Sequence, residues 1–234
     1  MQSAFTDAIT AAQDELCIEI ATTPAQLEEA QRLRYRVYCE ERGFEPGSNG
    51  LERDEFDESS RHILVRSRIS NEVLGTVRVV LSGSNVHVHA VPMQRACSSW
   101  VLAPFSPGST GEISRFALTR DRAGISPAAS ALMRLCLFRG IIQVSAENGL
   151  THFCAIMERS LLRLLRATAV HFTPVGPLIE FHGIRQPAVC CISEMLEQMR
   201  SEIPSVWAYV TEDGSLWAPL DAVSVPDDRR LQIM

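Results

Sequence analysis

Carboxylate and guanidinium side chains recur in this chain at spacings that could build a chemical site. Glu52-Arg53-Asp54-Glu55-Phe56-Asp57 and Glu112-Ile113-Ser114-Arg115-Phe116 carry most of them, with Arg34 ahead of the first segment and Arg78 between the two. A lone buried charge costs several kcal/mol unless it finds a partner, so these groups should pair with one another or face a cleft. Alone, a D-x-x-D reads as solvated loop acids and a bare E-x-x-R as the ends of a half-buried strand. Their joint spacing with Arg34 and Arg78 favours a site, with a purely structural ion network as the alternative.

Other reactive residues carry less. His87 and His89 share one face of a short predicted strand, but no third ligand accompanies them and no metal is expected. Cys190-Cys191 lies in an apolar strand without a base nearby in sequence and reads as structural. His182, beside Gly183, reads as a turn residue. The 7 cysteines are odd in number and lack C-x-x-C spacing, as expected of reduced thiols in a cytoplasmic protein.

Composition narrows the function classes. A net charge of -6 argues against nucleic acid as a partner, since displacing counterions from phosphates needs a basic face. All 22 basic residues are arginine, which reflects codon bias or bidentate anion recognition. No stretch reaches the roughly 18 consecutive apolar residues of a membrane span, and the N-terminus has no targeting pattern. A soluble protein with no integral membrane segment is expected.

The elements that must position these groups can be read in order. Residues 15–21 alternate as a strand, and Thr23-Pro24 opens a helix that puts Arg34 and Tyr38 on one face. Gly43 to Leu51 is a turn-rich loop, followed by strands 62–68 and 73–81. Residues 82–110 read as irregular, with one short strand near 86–91. The strand from Glu112 to Thr119 should place Glu112, Ser114, Phe116 and Leu118 on one face and Ile113, Arg115 and Ala117 on the other. Ser126-Pro127 starts a long apolar helix closed by Gly149, a buried strand 151–157 follows, and then a helix over 160–168. That order implies a crossover joining two parallel strands. Strands over 172–179 and 185–192, a helix over 193–203 and a hairpin over 206–216 complete one α/β domain over residues 1–234, with 221–234 frayed.

The order Arg34, Tyr38, Phe44, Asp54, Asp57, Arg78, Glu112, Ser114, Arg115 resembles the motif set of acyl-homoserine lactone autoinducer synthases, members of the GNAT acyltransferase superfamily. The segments 34–44, 157–161 and 172–177 look more like PEP-CTERM/exosortase-associated acyltransferases and the related N-acyl amino acid synthases. The resemblance implies a GNAT-like α/β fold: a central mixed, mostly antiparallel sheet with one splayed parallel strand pair, flanked by helices.

It also implies an N-acyltransferase moving a fatty acyl group from a thioester to the amine of a small molecule. The donor would be acyl carrier protein or coenzyme A, with no permanently bound cofactor. Phe44 stands where autoinducer synthases usually have tryptophan; an amino acid is the favoured acceptor and S-adenosylmethionine the alternative. A non-catalytic module binding acyl carrier protein or lipid is the reading from another class.

Such chemistry needs a neutral amine, a proton acceptor and donors to the oxyanion. Glu112 is then the candidate general base, Ser114 a donor to water or the leaving thiolate, and a backbone N–H near Phe116 or Ala117 an oxyanion donor. Arg34, Tyr38, Phe44, Asp54, Asp57, Arg78 and Arg115 would bind the acceptor, with any arginine left free clamping its carboxylate. Arg120, Arg122, Gly124 and Ser126 would hold the donor carrier at a helix N-terminus. Leu132, Leu135, Phe138, Phe153 and Ile156 could line an acyl tunnel.

Overall fold

The computed structural model describes residues 15–44, 47, 49–81, 91–98, 101–118, 127–166 and 168–216. β1 (Leu16–Ile20) pairs antiparallel with β2 (Ser60–Ser67), which pairs antiparallel with β3 (Val73–Leu81). Between β1 and β2 lies α1 (Pro24–Arg34), closed by a reciprocal Thr23/Gln26 capping box with Pro24 in its first turn. The helix then widens into a π turn, Tyr35–Glu40, a distortion common at functional sites.

β4 (Thr110–Leu118) pairs antiparallel with β3, and α3 (Pro127–Glu147) carries the chain over to β5 (His152–Met157), which runs parallel to β4. A short helix, α2 (Pro92–Ala96), precedes β4. After α4 (Arg159–Arg166) come β6 (Thr173–Pro174), β7 (Ile179–Glu180) and β8 (Ile184–Cys191), then α5 (Ile192–Glu202) and α6 (Pro204–Thr211). The main sheet has the order β1-β2-β3-β4-β5-β8-β6, with β7 pairing β8. Mixed pairing with a single parallel neighbour pair is the architecture expected.

α3 is apolar nearly all round because it is a core helix. Leu137, Ile141, Ile142 and Val144 pack with Ile63, Val65, Val77 and Phe153 on one side of the sheet. Gly140 allows the close approach, since a Cβ there would lie 2.4 Å from Ile63 Cγ2. Its Ala129–Glu147 stretch is long and apolar enough to span a membrane, yet 61% of that window is buried inside the fold.

Three expectations are corrected. Residues 206–216 are not a hairpin: α6 and a turn occupy them, with Pro204 starting the helix and Val206, Tyr209 and Val210 buried in the main core. The irregular stretch contains α2, while the strand near 86–91 falls mostly outside the described residues. The strand over 172–179 reduces to two short pairings, at Thr173–Pro174 and Ile179–Glu180. Of the residues named for a tunnel, Leu132, Phe138 and Phe153 belong to the α3 core with Leu135 packed against it, and Ile156 packs into a second cluster with Val80 and Cys154. The turn at His182-Gly183 is present, with both residues at positive φ.

Candidate active site

Two features of β4 build the site. First, the β3–β4 register slips: Thr76 faces Ala117, but Arg78 faces Ser114, which leaves an extra residue in β4. Arg115 sits at this bulge with φ 54°, a region side chains with a Cβ rarely occupy. Its guanidinium is anchored there, donating from Nε to Glu52 Oε1 at 2.9 Å and from Nη2 to Asp54 Oδ2 at 3.1 Å.

The bulge overturns the simple alternation expected of this strand. Ser114 and Arg115 both face the acidic loop, whereas Ile113, Phe116 and Leu118 pack on the α3 core. Ala117 returns to the α1 side with Leu33 and Val37. The Phe116 side chain is thus on the opposite side from Glu112; its carbonyl accepts a hydrogen bond from the Tyr38 hydroxyl at 3.0 Å.

Second, β4 and β5 part company. Their parallel pairing runs through Thr110–His152, Gly111–Phe153 and Glu112–Cys154 and ends there, although β5 continues to Met157 and β4 to Leu118. A gap between two parallel strands opens at Glu112.

The loop acids meet the arginines in a compact network. Arg34 donates to Glu52 and, at 2.7 Å, to Asp57 Oδ1. Arg78 clamps Asp54 through Nη1 (2.5 Å) and Nη2 (2.8 Å), reaches Asp57 Oδ1 at 2.6 Å, and donates from Nε to Ser114 Oγ at 3.0 Å. Burial would raise the Asp54 carboxyl, but the Arg78 hydrogen bonds and the charges of Arg78, Arg115 and Arg34 bring it down to about 2. The same balance, with Arg34 the leading cation, lowers Asp57. None of Arg34, Arg78 and Arg115 lacks a carboxylate partner.

Residues outside the predicted set complete the network. Gln31 Nε2 donates to Asp57 Oδ2 at 3.1 Å, Glu52 bridges Arg34 and Arg115, and His62 lies 3.3 Å from the Asp57 carbonyl. Burial pushes His62 down to about 4, so it is neutral at pH 7. Glu52 was visible in the charged run; Gln31 gave no sequence signal on a helix that is mostly polar, and His62 none beyond a polar residue on a buried strand.

Glu112 stands apart from this pairing. It is buried, and among the described residues no guanidinium is hydrogen-bonded to it; its Oε2 accepts the Met93 N–H from α2 at 2.6 Å. Burial raises its carboxyl to about 8, against the weaker pull of the Met93 hydrogen bond and of Arg78 and Arg115. A carboxyl tuned near neutrality can take a proton from an ammonium group far better than one held near 2.

Phe44 bridges the π turn to the far side of the gap. Its ring stacks on Tyr38 (centroids 6.4 Å apart) and on His182 of the β7–β8 turn (5.8 Å). Of the donor-carrier set, Arg120, Arg122, Gly124 and Ser126 lie outside the described residues, as do His87 and His89. Among the described residues no group of histidine, cysteine and acid side chains is arranged to hold a metal ion.

A mostly antiparallel sheet whose one parallel pair, β4 and β5, parts at Glu112 is the arrangement that the resemblance implied, and comparison with known proteins supports the fold. The family model described as an acetyltransferase (GNAT) domain matches residues 33–126. The chain has a GNAT-like fold. Among solved structures it is similar to a CoA-dependent acyl-homoserine lactone synthase, BjaI, determined with SAM and isopentyl-CoA. That match has 19% identity and a TM-score of 0.60, over 85% of this chain and 99% of that one. It is also similar to FeeM, an N-acyl amino acid synthase from uncultured soil microbes, with 18% identity and a TM-score of 0.58, over 78% and 94% of the two chains. The AHL synthase LasI matches at 18% identity and a TM-score of 0.56, over 74% and 88%. No curated protein sequence matches the chain.

Proposed function

We propose that this GNAT protein is an N-acyltransferase that moves a fatty acyl group from a thioester to the amine of an amino acid. The observation that carries the reading is Glu112: a buried carboxyl raised to about 8, placed where β4 and β5 separate and left out of the neighbouring ion pairs. The amine nitrogen attacks the thioester carbonyl, the new N–C bond forms and the C–S bond breaks. Glu112, directly or through a water, takes the amine's proton and returns it past Ser114 to the leaving sulfur, so the carrier departs as a thiol and Glu112 is again a carboxylate. The backbone N–H of Phe116 or Ala117, on the stretch of β4 that has no β5 partner, would hold the oxyanion.

The paired arginines support this division of labour. They hold Asp54 and the bulge in place, and Tyr38 and Phe44 wall the acceptor side. Arg120, Arg122, Gly124 and Ser126 are proposed to receive the carrier, acyl carrier protein or coenzyme A.

The test is thiol release from long-chain acyl carrier protein and acyl-CoA, each offered with a panel of amino acids and with S-adenosylmethionine. Release that requires an amino acid, with the N-acyl product seen by mass spectrometry, is the expected result. Release only with S-adenosylmethionine would make the protein an autoinducer synthase. Tight thioester binding without turnover would make it a binding module.

A further inference from the structure

Among the described residues around the gap, two arginines make no ion pair: Arg42, and Arg53, whose Nε already donates to Gln31 Oε1 at 2.7 Å. Arg34, Arg78 and Arg115 are matched by Glu52, Asp54 and Asp57, so the network adds no net charge. Arg34 Nη2 has no partner, but Arg34 is 0% exposed and closed to a ligand. Across the gap, Arg185 pairs with Glu158 and donates to the carbonyls of Phe181 (3.1 Å) and His182 (2.9 Å).

Arg42 differs from the paired arginines in its charge being unpaired among the described residues, although Arg185 shares the Phe44 ring, its guanidinium carbon 5.9 Å from the centroid. It is exposed and makes no ion pair with a described residue, and its guanidinium carbon lies 5.7 Å from the centroid of the Phe44 ring. Through Phe44 it is tied to Tyr38 on one side and His182 on the other, and Tyr38 in turn touches the β4 bulge. Its charge acts on both Tyr38 and Glu158, so it stands between the π turn and the end of β5. A guanidinium resting on an aromatic face keeps its edge free for a bidentate anion contact.

We propose that Arg42, seated on Phe44, binds the acceptor's carboxylate and so selects amines that carry one. The inference rests on the N-acyltransferase reading above and assigns the clamp to a residue outside the neutral network. A neutral cluster offers little field to an incoming anion, whereas an unmatched guanidinium offers a charge-assisted pair.

The experiment is steady-state kinetics on wild-type protein, Arg42→Ala and Arg42→Lys, at saturating acyl thioester. The acceptors are the best amino acid of the panel and its carboxamide. Expected for Arg42→Ala is a KM for the amino acid raised at least about tenfold, as for loss of one charge-assisted contact, with the carboxamide used equally by both proteins. Arg42→Lys should restore part of the difference, because it keeps the charge and loses the fork. An unmoved KM, equal losses with both acceptors, or a change confined to the KM of the donor would overturn the assignment. Wild-type protein that acylates no amine would instead overturn the function reading, and this inference with it.

Discussion

Asp54 and Glu112 lie within each other's field, yet one is held near pH 2 and the other near pH 8. Both feel burial and both feel the charges of Arg78 and Arg115; the difference is contact. Asp54 receives two Arg78 nitrogens and one from Arg115, whereas Glu112, among the described residues, receives a single backbone N–H. Carboxylates locked in direct ion pairs act as scaffold, and the one kept at a distance is free to exchange a proton.

Breaking the scaffold should have the largest consequence. Arg78→Ala leaves Asp54 and Asp57 short of their shared cation in a buried setting, which costs about 3–5 kcal/mol. Chemical denaturation should show that loss, and the bulge it helps hold at Ser114 should go with it. A variant as stable as wild type would mean the network is solvated and incidental.

Acid should dissect the same region more gently. His62 is lowered to about 4 from 6.5, so below pH 6.5 the unfolded chain takes up a proton that the fold refuses. Stability falls as pH drops from about 6.5 to 4, by about 3 kcal/mol at roughly 1.4 kcal/mol per unit. A second loss follows as pH falls from 3.8 toward 2, where Asp54 and its arginines come apart. A His62→Gln variant that lost stability in step with wild type between pH 6.5 and 4 would remove His62 from that account.

How much of this was legible beforehand depended on what carries the signal. Arg34, Asp54, Asp57 and Arg78 announce themselves by type, because charged residues that fold inward need partners, and they converge; Glu112 announces itself the same way but stays outside their pairing. The bulge did not announce itself. A positive φ at an arginine is imposed by Glu52 and Asp54, not by local preference, so Phe116 was assigned to the wrong face. Met93 was equally hidden, since it acts through a backbone N–H that any residue possesses. Residues 206–210, Val-Trp-Ala-Tyr-Val, are strand formers by type, yet packing of α6 against the core made them helical.

Glu112→Gln sharpens the contrast from the other side. The amide oxygen can still accept the Met93 N–H, so the fold should persist while turnover falls by more than about tenfold. In wild type, kcat should rise with pH through about 8 as Glu112 ionises, and the variant should lose that limb. Stability should move the opposite way. A carboxyl raised from 4.5 to about 8 favours the fold below 4.5 and loses that contribution as pH rises through 8, so the glutamine variant should be the more stable protein at pH 9. Unchanged turnover would disqualify Glu112 as the base.

The mildest test joins the two regions. Tyr38 links α1's π turn to the bulge through its hydroxyl on the Phe116 carbonyl, and the Arg115 guanidinium lies 5.8 Å over its ring. Tyr38→Phe keeps the ring, the stacking on Phe44 and the Arg115 contact, and removes one hydrogen bond worth about 1 kcal/mol. If the bulge is what presents the oxyanion donor, kcat should fall a few-fold more than stability alone explains, with the KM of the acceptor unchanged. A matching rise in that KM would place Tyr38 on the acceptor instead of behind the strand.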